Sequence, residues 1–514
     1  MAKFYVTTAI VYVNAPPHLG YIYELVGTDV LARYHRLVGD DTFFLTGTDE
    51  HSQNVERQAR EKGQDTRAYT DRMAEVYREI EASFSISYDR FIRTEDADHV
   101  RGVQTLLAKI QARGDIYEGS YEGWYCVASE QFFQESELIN GYCPYHPTIK
   151  AVWLKEKNYF FALARYQERL QVHIDKHPEF IQPESRRNEV LGWLKAGLQD
   201  FSISRSTVKW GIPFPGDPGQ VVYVWGDALV NYITGVGYGT DEAMFKRWWP
   251  ADLHVIGKDI TRFHAVYWPA MLLSAGVSLP RRIWAHGFMT VRGERMSKSA
   301  GNFLDPLEAR DRFGADAVRY LIMRELPFDR DGDTSWETMT DRFNADLAND
   351  LGNFVYRSLS MLQRYFDGKV PAPDGDTIPL DKKLRTAFEQ AVRDLERHLK
   401  AVDFTGSLES TWQAINRGNK YIEESAPWVL AKQSDQRKRL QTVMYNLVEA
   451  IRLTCYLIAP FMPETSQRIA SQVKADLKAP WATAREWGRV APRTQTTLGG
   501  VLFPRIEKKP ELVG

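Results

Sequence analysis

Two short stretches carry the residue types best suited to chemistry. In the first, an apolar strand that starts at Lys3 breaks at Asn14-Ala15-Pro16-Pro17 and restarts as a helix near His18-Leu19-Gly20-Tyr21. A helix start leaves backbone N–H groups unpaired and presents the positive end of the helix dipole, so an anion such as a triphosphate can be held there without side-chain charge. His18 adds a donor, and Gly20 leaves room for a close approach. In the second, Gly293-Glu294-Arg295-Met296-Ser297-Lys298-Ser299 places two cations and two hydroxyls on a loop behind a glycine. Such a loop suits closure over phosphates whose charge is changing. Taken singly, either stretch also reads as an ordinary surface loop.

The elements that must position these residues follow from periodicity. A strand is expected over Phe4–Val11, then a helix with apolar residues at Ile22, Leu25, Val26, Val30 and Leu37 that Gly39 stops. A second buried strand, Thr42–Thr46, runs into Gly47-Thr48-Asp49-Glu50-His51. Strand, helix, strand opens a parallel nucleotide-binding sheet, in which ligands sit at the carboxyl ends of strands. Residues 116–215 change character and include a polar, helix-like run from Tyr159 to His177, so they read as an insertion. Alternation over Val221–Trp225 and the apolar Asp252–Gly257 then restore the sheet. Further on, Leu384, Phe388, Val392, Leu395 and Leu399, and again Leu440, Met444, Leu447, Ile451, Cys455 and Ile458, recur at helical steps. The predicted fold class is therefore α/β, with a Rossmann-like parallel sheet in two halves (1–115 and 216–290) split by a connective insertion (116–215). A linking region (291–345) carries the Arg295–Ser299 loop, and an all-α bundle with a C-terminal tail (346–514) follows.

The whole composition fits this reading. The 514 residues are 44% hydrophobic and 26% charged, with 14 Trp and 25 Tyr, which suits several folded domains and excludes a disordered chain. No apolar run approaches the roughly 20 residues that cross a bilayer, and residues 1–12 lack a signal peptide's basic start, so a cytoplasmic protein is expected. Three cysteines make no disulfide framework. A net charge of −2 leaves any RNA contact to local patches such as Arg186-Arg187, Lys195, Arg205 and Lys209, which also read as a solvated face.

The pairing of HLGY (His18–Tyr21) with RMSKS (Arg295–Ser299), in this order and at this separation, resembles the HIGH and KMSKS signatures of class I aminoacyl-tRNA synthetases. Between them TGTDEH (Thr46–His51), VYVWGDAL (Val222–Leu229) and HVIGKDITRFHAVYWPAML (His254–Leu272) look like the methionine-specific branch of that family. The likeness continues through DLGN (Asp350–Asn353) and APWVLAK (Ala426–Lys432), so it spans nearly the whole chain. It implies catalytic roles for His18, Tyr21 and Lys298, with Gly20, Gly257, Asp259, His286, Gly287 and Arg295 completing an ATP site. It also implies a methionine site of Ala9, Ile10, Tyr12, Trp225, Ala228, Leu229, Tyr232, Ile260, His264 and Trp268, with Asp49 near the ammonium. By the same resemblance Asn353, Arg357 and Trp428 read a CAU anticodon. ATP with Mg2+, methionine, and initiator and elongator methionine tRNAs are the expected substrates.

The residues support this independently, because the rings of Tyr12, Trp225, Tyr232 and Trp268 would suit a thioether, whose sulfur prefers aromatic edges. The same aromatics also read as ordinary core, as does Trp428, and Lys258 reads as a surface partner of Asp259. A pocket separates side chains differing by one methylene by only about 1–3 kcal/mol, and relatives facing that problem carry a large editing insertion that residues 116–215 are too short to supply.

Three positions depart from the family pattern. Tyr21 replaces the second histidine of HIGH, giving a phenol that can donate but cannot be cationic. Arg295 replaces the first lysine of KMSKS, keeping charge but changing geometry. In the insertion, Cys126, Cys143 and His146 stand where relatives carry a zinc knuckle, but Ser129 takes a ligand's place, and a serine hydroxyl is a poor zinc ligand at neutral pH. A knuckle without stoichiometric zinc is expected. A monomer is expected too, since no dimerisation module follows the helical region. Two alternatives stay open: a paralogue that activates methionine or an analogue for a non-tRNA acceptor, and a catalytically weak tRNA-binding protein.

Overall fold

The structure, a computed structural model, describes residues 2–126, 131–144, 146–296, 303–374 and 377–507. Its centre is a seven-stranded parallel sheet. The strands are β1 (Lys3–Thr7), β2 (Val11–Tyr12), β3 (Asp41–Asp49), β4 (Arg90–Arg93), Ile181–Gln182, Leu253–Gly257 and Ile283–His286. β1 lies between β3 and Leu253–Gly257, which is followed outward by Ile283–His286 and Ile181–Gln182. The registers Thr7↔Leu45, Thr7↔His254 and Gly257↔His286 bring the carboxyl ends of the central strands to one edge.

The expected strand Phe4–Val11 is interrupted. Thr7 faces Leu45 and Val11 faces Thr48, so the first segment carries one residue more than β3 between the same two pairings. That extra residue is a bulge, which re-aims side chains and ends a ladder locally. The cause is a competing acceptor, since the Ala9 N–H donates to Glu24 Oε1 at 2.8 Å instead of joining the sheet. Helix α1 (Leu19–Val38), which brings Glu24, starts after the two prolines and ends at Gly39 in the left-handed region, φ 93°. α1 is buried on nearly every side, sandwiched between the sheet and the helix Ala315–Glu325. Two more helices, α2 (Gln53–Glu61) and α3 (Thr66–Ser83), join β3 to β4, and α4 (Ala97–Ala112) leads to the insertion.

The insertion is built on a long antiparallel pair, β5 (Ile116–Cys126) against Val152–Phe161, with β6 (Gln131–Phe133) and Phe201–Ser202 on its edges. Tyr159–Phe161 are therefore strand, and the helix expected from Tyr159 covers only Gln167–Lys176. A second difference lies at Val221–Trp225, which does not rejoin the parallel sheet: the strand Asp217–Val222 pairs antiparallel with Ser204–Arg205 and Pro213–Phe214 and then stops, and Val224–Ala228 is a short helix. The buried Asp227 carboxylate explains the turn, because His99 of α4 (2.6 Å) and His51 (2.7 Å) both bond to it and draw the chain inward. His51 also contacts Glu95, and although burial works against its charge the two carboxylates lift the ring above its ordinary value.

Beyond the sheet the chain is helical. Asn353–Phe366, Pro379–Lys400, Phe404–Ser425 and Arg437–Ile458 pack together. Every periodic residue named for this region is buried. Arg439 clamps the buried Asp381 with two bonds of 2.7 and 2.8 Å, joining two of these helices. Among the described residues no helix is long and apolar enough to cross a membrane.

Candidate active site

The bulge, the start of α1 and the ends of two sheet strands surround a cavity of about 450 Å3. Ala9, Ile10, Val11 and Tyr12 line it from the bulge, and Asn14–His18, Gly20, Tyr21, Tyr23 and Glu24 from the turn and α1. Gly257, Asp259 and Ile260 follow one central strand, and His286, Gly287, Phe288 and Met289 follow the next. Trp225, Tyr77 and Met296 complete the wall.

The turn at His18–Tyr21 and Met296 of the second motif meet here. Met296 packs so closely over the turn that a Cβ on Gly20 would lie 3.4 Å from its methyl. Past the loop, the Phe303 ring stands edge-on to His18 at 6.5 Å, and the Leu304 carbonyl accepts from the Leu19 N–H at 3.3 Å. One of the free amides expected at the helix start is thus used to hold the chain at Leu304. The hairpin that launches this motif pairs Met289–Val291 with Glu294–Arg295, and the Asp333 carboxylate holds its turn through the Gly293 N–H at 2.7 Å. Lys298 lies outside the described residues, as does the side chain of Arg295. His18 caps α1 in extended conformation with its side chain exposed.

Tyr21 lies in the wall, but its hydroxyl is engaged. It donates to the buried carboxylate of Glu81 on α3, and its ring meets Tyr77 edge to face at 5.1 Å. His286 is fixed at both nitrogens, by Glu24 Oε2 at 2.9 Å and by the Gly287 carbonyl at 2.7 Å. Burial opposes its charge, yet the Glu24 carboxylate prevails and holds the ring above its ordinary value. Gly287 has a structural reason as well, because a Cβ there would fall 2.0 Å from the backbone of Arg330. Lys258 pairs with Asp331 at 2.7 Å and not with Asp259.

Next to the cavity, the predicted methionine residues form one aromatic set. Trp225 stacks on Phe263 at 3.9 Å and meets Tyr12 edge-on at 6.2 Å. Ala9, Ile10, Tyr12, Trp225 and Ile260 reach the cavity wall, whereas Ala228, Leu229, Tyr232, His264 and Trp268 are buried behind it. Tyr232 donates to His264 Nε2 at 2.7 Å, while His264 Nδ1 donates to the Ile260 carbonyl at 3.0 Å. Burial drives the His264 pKa down to about 4, so it stays neutral and can accept from the phenol. The indole N–H groups of Trp225 and Trp268 are buried without a partner among the described residues. Asp49 is buried opposite Tyr12 in the ladder and accepts from the His51 N–H at 3.3 Å.

The other predicted sites fall apart from the cavity. Asn353 is exposed at the start of its helix, and Arg357, one turn on, bonds Glu423 at 2.6 Å. Glu423 sits just before the turn to Pro427–Leu430, where Trp428 is 38% exposed, so the three residues share one end of the bundle. Trp428 is therefore a surface ring, not core. Tyr356, 47% exposed beside Arg357, joins them and was not foreseen. Arg205 is buried against the ring of Tyr223 at 4.3 Å, which removes it from the surface patches. In the insertion, Cys126 and Cys143 are buried with Phe133, while Ser129 and the His146 side chain lie outside the described residues.

Sequence reasoning missed Glu24, Tyr77 and Glu81. Glu24 had a signal, an acid inside the apolar run Tyr21–Leu31 that could be buried only with partners. Tyr77 donates to the Tyr12 and Ala15 carbonyls at 3.1 Å each, and Glu81 looks in sequence like any exposed helix acid.

Comparison with known proteins agrees with this geometry. The family described as tRNA synthetases class I (M) matches residues 4–152 and 148–359, and the anticodon binding domain of methionyl tRNA ligase matches residues 370–511. A methionine–tRNA ligase of Caldanaerobacter subterraneus subsp. tengcongensis is 45% identical over 99% of this chain and 80% of its own length. One from Thermotoga maritima is 42% identical over 99% and 81%. A structure of Mycobacterium tuberculosis methionyl-tRNA synthetase in complex with methionyl-adenylate is similar at TM-score 0.95 and 44% identity, covering 98% of this chain and 100% of that one. The apo form of that enzyme is similar at 0.88 and 41%, covering 99% of each. By fold, sequence and the arrangement of its two signature motifs, the chain belongs to the methionyl-tRNA synthetase family of class I tRNA synthetases.

Proposed function

We propose that this chain is a methionine–tRNA ligase, which activates methionine with ATP and transfers it to the 3′ end of initiator and elongator methionine tRNAs. The observation that carries the reading is the single cavity in which the His18–Tyr21 turn and the Met296 segment meet the Tyr12–Trp225 rings. The high similarity to a synthetase in complex with methionyl-adenylate supports it.

In this reading a methionine carboxylate oxygen attacks the α-phosphorus of ATP, which enters as its magnesium complex, and the bond to the bridging oxygen breaks to release pyrophosphate. A ribose hydroxyl of the tRNA terminus then attacks the acyl carbon and releases AMP. No covalent bond to the protein forms. His18 and the start of α1 stand on one side of the cavity, so a ring donor and the positive end of the helix dipole border the place where phosphate charge shifts. Lys298 is assigned a second donor to the leaving pyrophosphate. Trp225, Tyr12 and the rings behind them receive the thioether. Asp49 is assigned to the methionine ammonium. Asn353, Arg357 and Trp428 are assigned to the anticodon, with the exposed indole stacking on a base. The divisions 1–115, 116–215, 216–290, 291–345 and 346–514 are proposed as the units that carry these tasks, in a cytoplasmic monomer, with the correction that Ile181–Gln182 of the second returns to the central sheet beside Ile283–His286.

Two assays on the purified chain test this. Methionine-dependent exchange of pyrophosphate into ATP and charging of methionine tRNA are both expected, and both should collapse in Lys298→Ala. Exchange without charging would favour a paralogue with another acceptor. Binding of tRNA without exchange would favour a protein that kept only its helical reader.

A further inference from the structure

The acid assigned to the methionine ammonium and the indole assigned to the thioether lie far apart in the chain, and one buried contact joins the segments that carry them. Asp49 closes β3, opposite Tyr12 in the ladder, and accepts from the His51 N–H at 3.3 Å. The ring of the same His51 donates from Nδ1 to Asp227 Oδ2 at 2.7 Å. Asp227 lies on the short helix Val224–Ala228, two residues after Trp225.

Both sides of this contact are themselves held. On the β3 side Arg93 grips the Glu50 carboxylate at 2.6 and 2.7 Å, and the Trp210 indole donates to the Glu50 carbonyl at 2.7 Å. His51 Nε2 meets Glu95, which also pairs with Arg67. On the other side, Asp227 Oδ1 accepts from His99 Nε2 at 2.6 Å, and His99 Nδ1 meets the Thr234 hydroxyl at 2.8 Å. Thr234 ends the helix Asn231–Thr234, which carries Tyr232. Asp227, His99 and Thr234 are wholly buried, so water cannot take the place of a bond lost there. The Asp227 carboxylate is thus the point at which the end of β3, α4 and the two short helices behind the cavity are tied together.

We infer that the His51–Asp227 bond sets the length of the amino-acid site, making His51 and Asp227 positioning residues that hold the ammonium acid and the Trp225 ring at a separation matched to methionine. The inference rests on the methionine reading of the cavity, with Asp49 at the ammonium and Trp225 at the thioether. A side chain one methylene shorter or longer then meets only one end of the site at the proper spacing. With the tie cut, the Trp225 helix is free to shift, and neighbouring lengths are accepted more evenly.

The test compares two variants that replace different ring nitrogens. An asparagine amide reaches the place of Nδ1, so His51→Asn keeps the donor to Asp227 and gives up Glu95. A glutamine amide reaches the place of Nε2, so His51→Gln keeps Glu95 and gives up Asp227. Folding is checked by thermal midpoint, and kcat/KM for pyrophosphate exchange is measured with methionine, with S-methylcysteine (one methylene shorter) and with homomethionine (one longer). The wild-type chain should favour methionine over each by roughly 10-fold or more. His51→Asn should keep that preference, whereas His51→Gln should lose most of it, through a raised KM for methionine with the KM for ATP unchanged. Asp227→Asn, whose amide oxygen can accept from only one of the two histidines, should broaden in the same way. Where a variant no longer turns over, titration of tryptophan fluorescence with the same three amino acids reads the preference. An equal loss with all three amino acids in His51→Gln, or the same broadening in His51→Asn, overturns the inference, because the contact would then serve folding alone. Absence of methionine-dependent exchange from the wild-type chain would instead refute the adenylation reading, and the tie with it.

Discussion

Replacing Arg319 by methionine should uncouple the sheet from the helical region. Arg319 lies on Ala315–Glu325 and is completely buried, and its guanidinium meets Asp29 of α1 at 2.7 Å. It also donates to the carbonyls of Phe461 (2.8 Å), Pro460 (3.0 Å) and Phe84 (3.2 Å), so one side chain ties α1, the end of α3 and the end of Arg437–Ile458. Breaking a buried ion pair from one side costs about 3–5 kcal/mol. Asp29 keeps Arg33 at 2.6 Å and the Ser87 N–H at 2.8 Å, which puts its share near the lower end, about 3 kcal/mol. The three orphaned carbonyls add about 1 kcal/mol each where water cannot reach them, so a total near 6 kcal/mol is expected. Calorimetry should show a lowered transition, or one split in two as the regions unfold separately. At a temperature where the variant stays folded, pyrophosphate exchange should be largely kept, while charging at subsaturating tRNA should fall about tenfold, a typical coupling between sites. An unchanged transition together with an unchanged ratio of charging to exchange would refute the reasoning.

Three further outcomes follow from particular residues. His264 is held neutral by burial with a pKa of about 4, so the unfolded chain takes up its proton first as pH falls. Its contribution is complete above about pH 6.5 and fades toward pH 4, and the wild-type chain should lose about 2 kcal/mol more than His264→Gln between pH 7 and pH 5 in urea titrations; equal losses would contradict this. Elemental analysis of the purified chain should find well under one zinc, with Ser129→Cys raising the content, and about one zinc per wild-type chain would contradict the serine argument. Trp428→Ala should weaken binding of methionine tRNA by about 1–3 kcal/mol while leaving pyrophosphate exchange unchanged, and equal affinity for wild type and variant would remove Trp428 from the interface.

The parts that could be read from the sequence were those with a local signature. Helical steps in residues 384–399 and 440–458 placed two bundle helices with their buried faces, and Pro16-Pro17 with Gly39 bracketed α1. The carboxyl-edge location followed from strand, helix, strand. What escaped was decided by contacts distant in sequence. The bulge at residues 8–10 depends on Glu24 reaching back to Ala9, and the turn at Tyr223 on His51 and His99 closing on Asp227. The bond from Tyr21 to Glu81 escaped likewise, because nothing in the sequence ties these two residues, sixty apart and on different helices. Trp428 illustrates the converse, a ring whose exposure could not be told from its apolar neighbours.

The most direct measurement is the burst of pyrophosphate released when the chain is mixed with ATP and one amino acid in the absence of tRNA. A burst close to one pyrophosphate per chain is expected with methionine, because the cavity can form and retain one adenylate, and little with leucine, isoleucine or valine, whose branched side chains do not suit the Tyr12–Trp225 rings. No burst with methionine, or an equal burst with leucine, would contradict it.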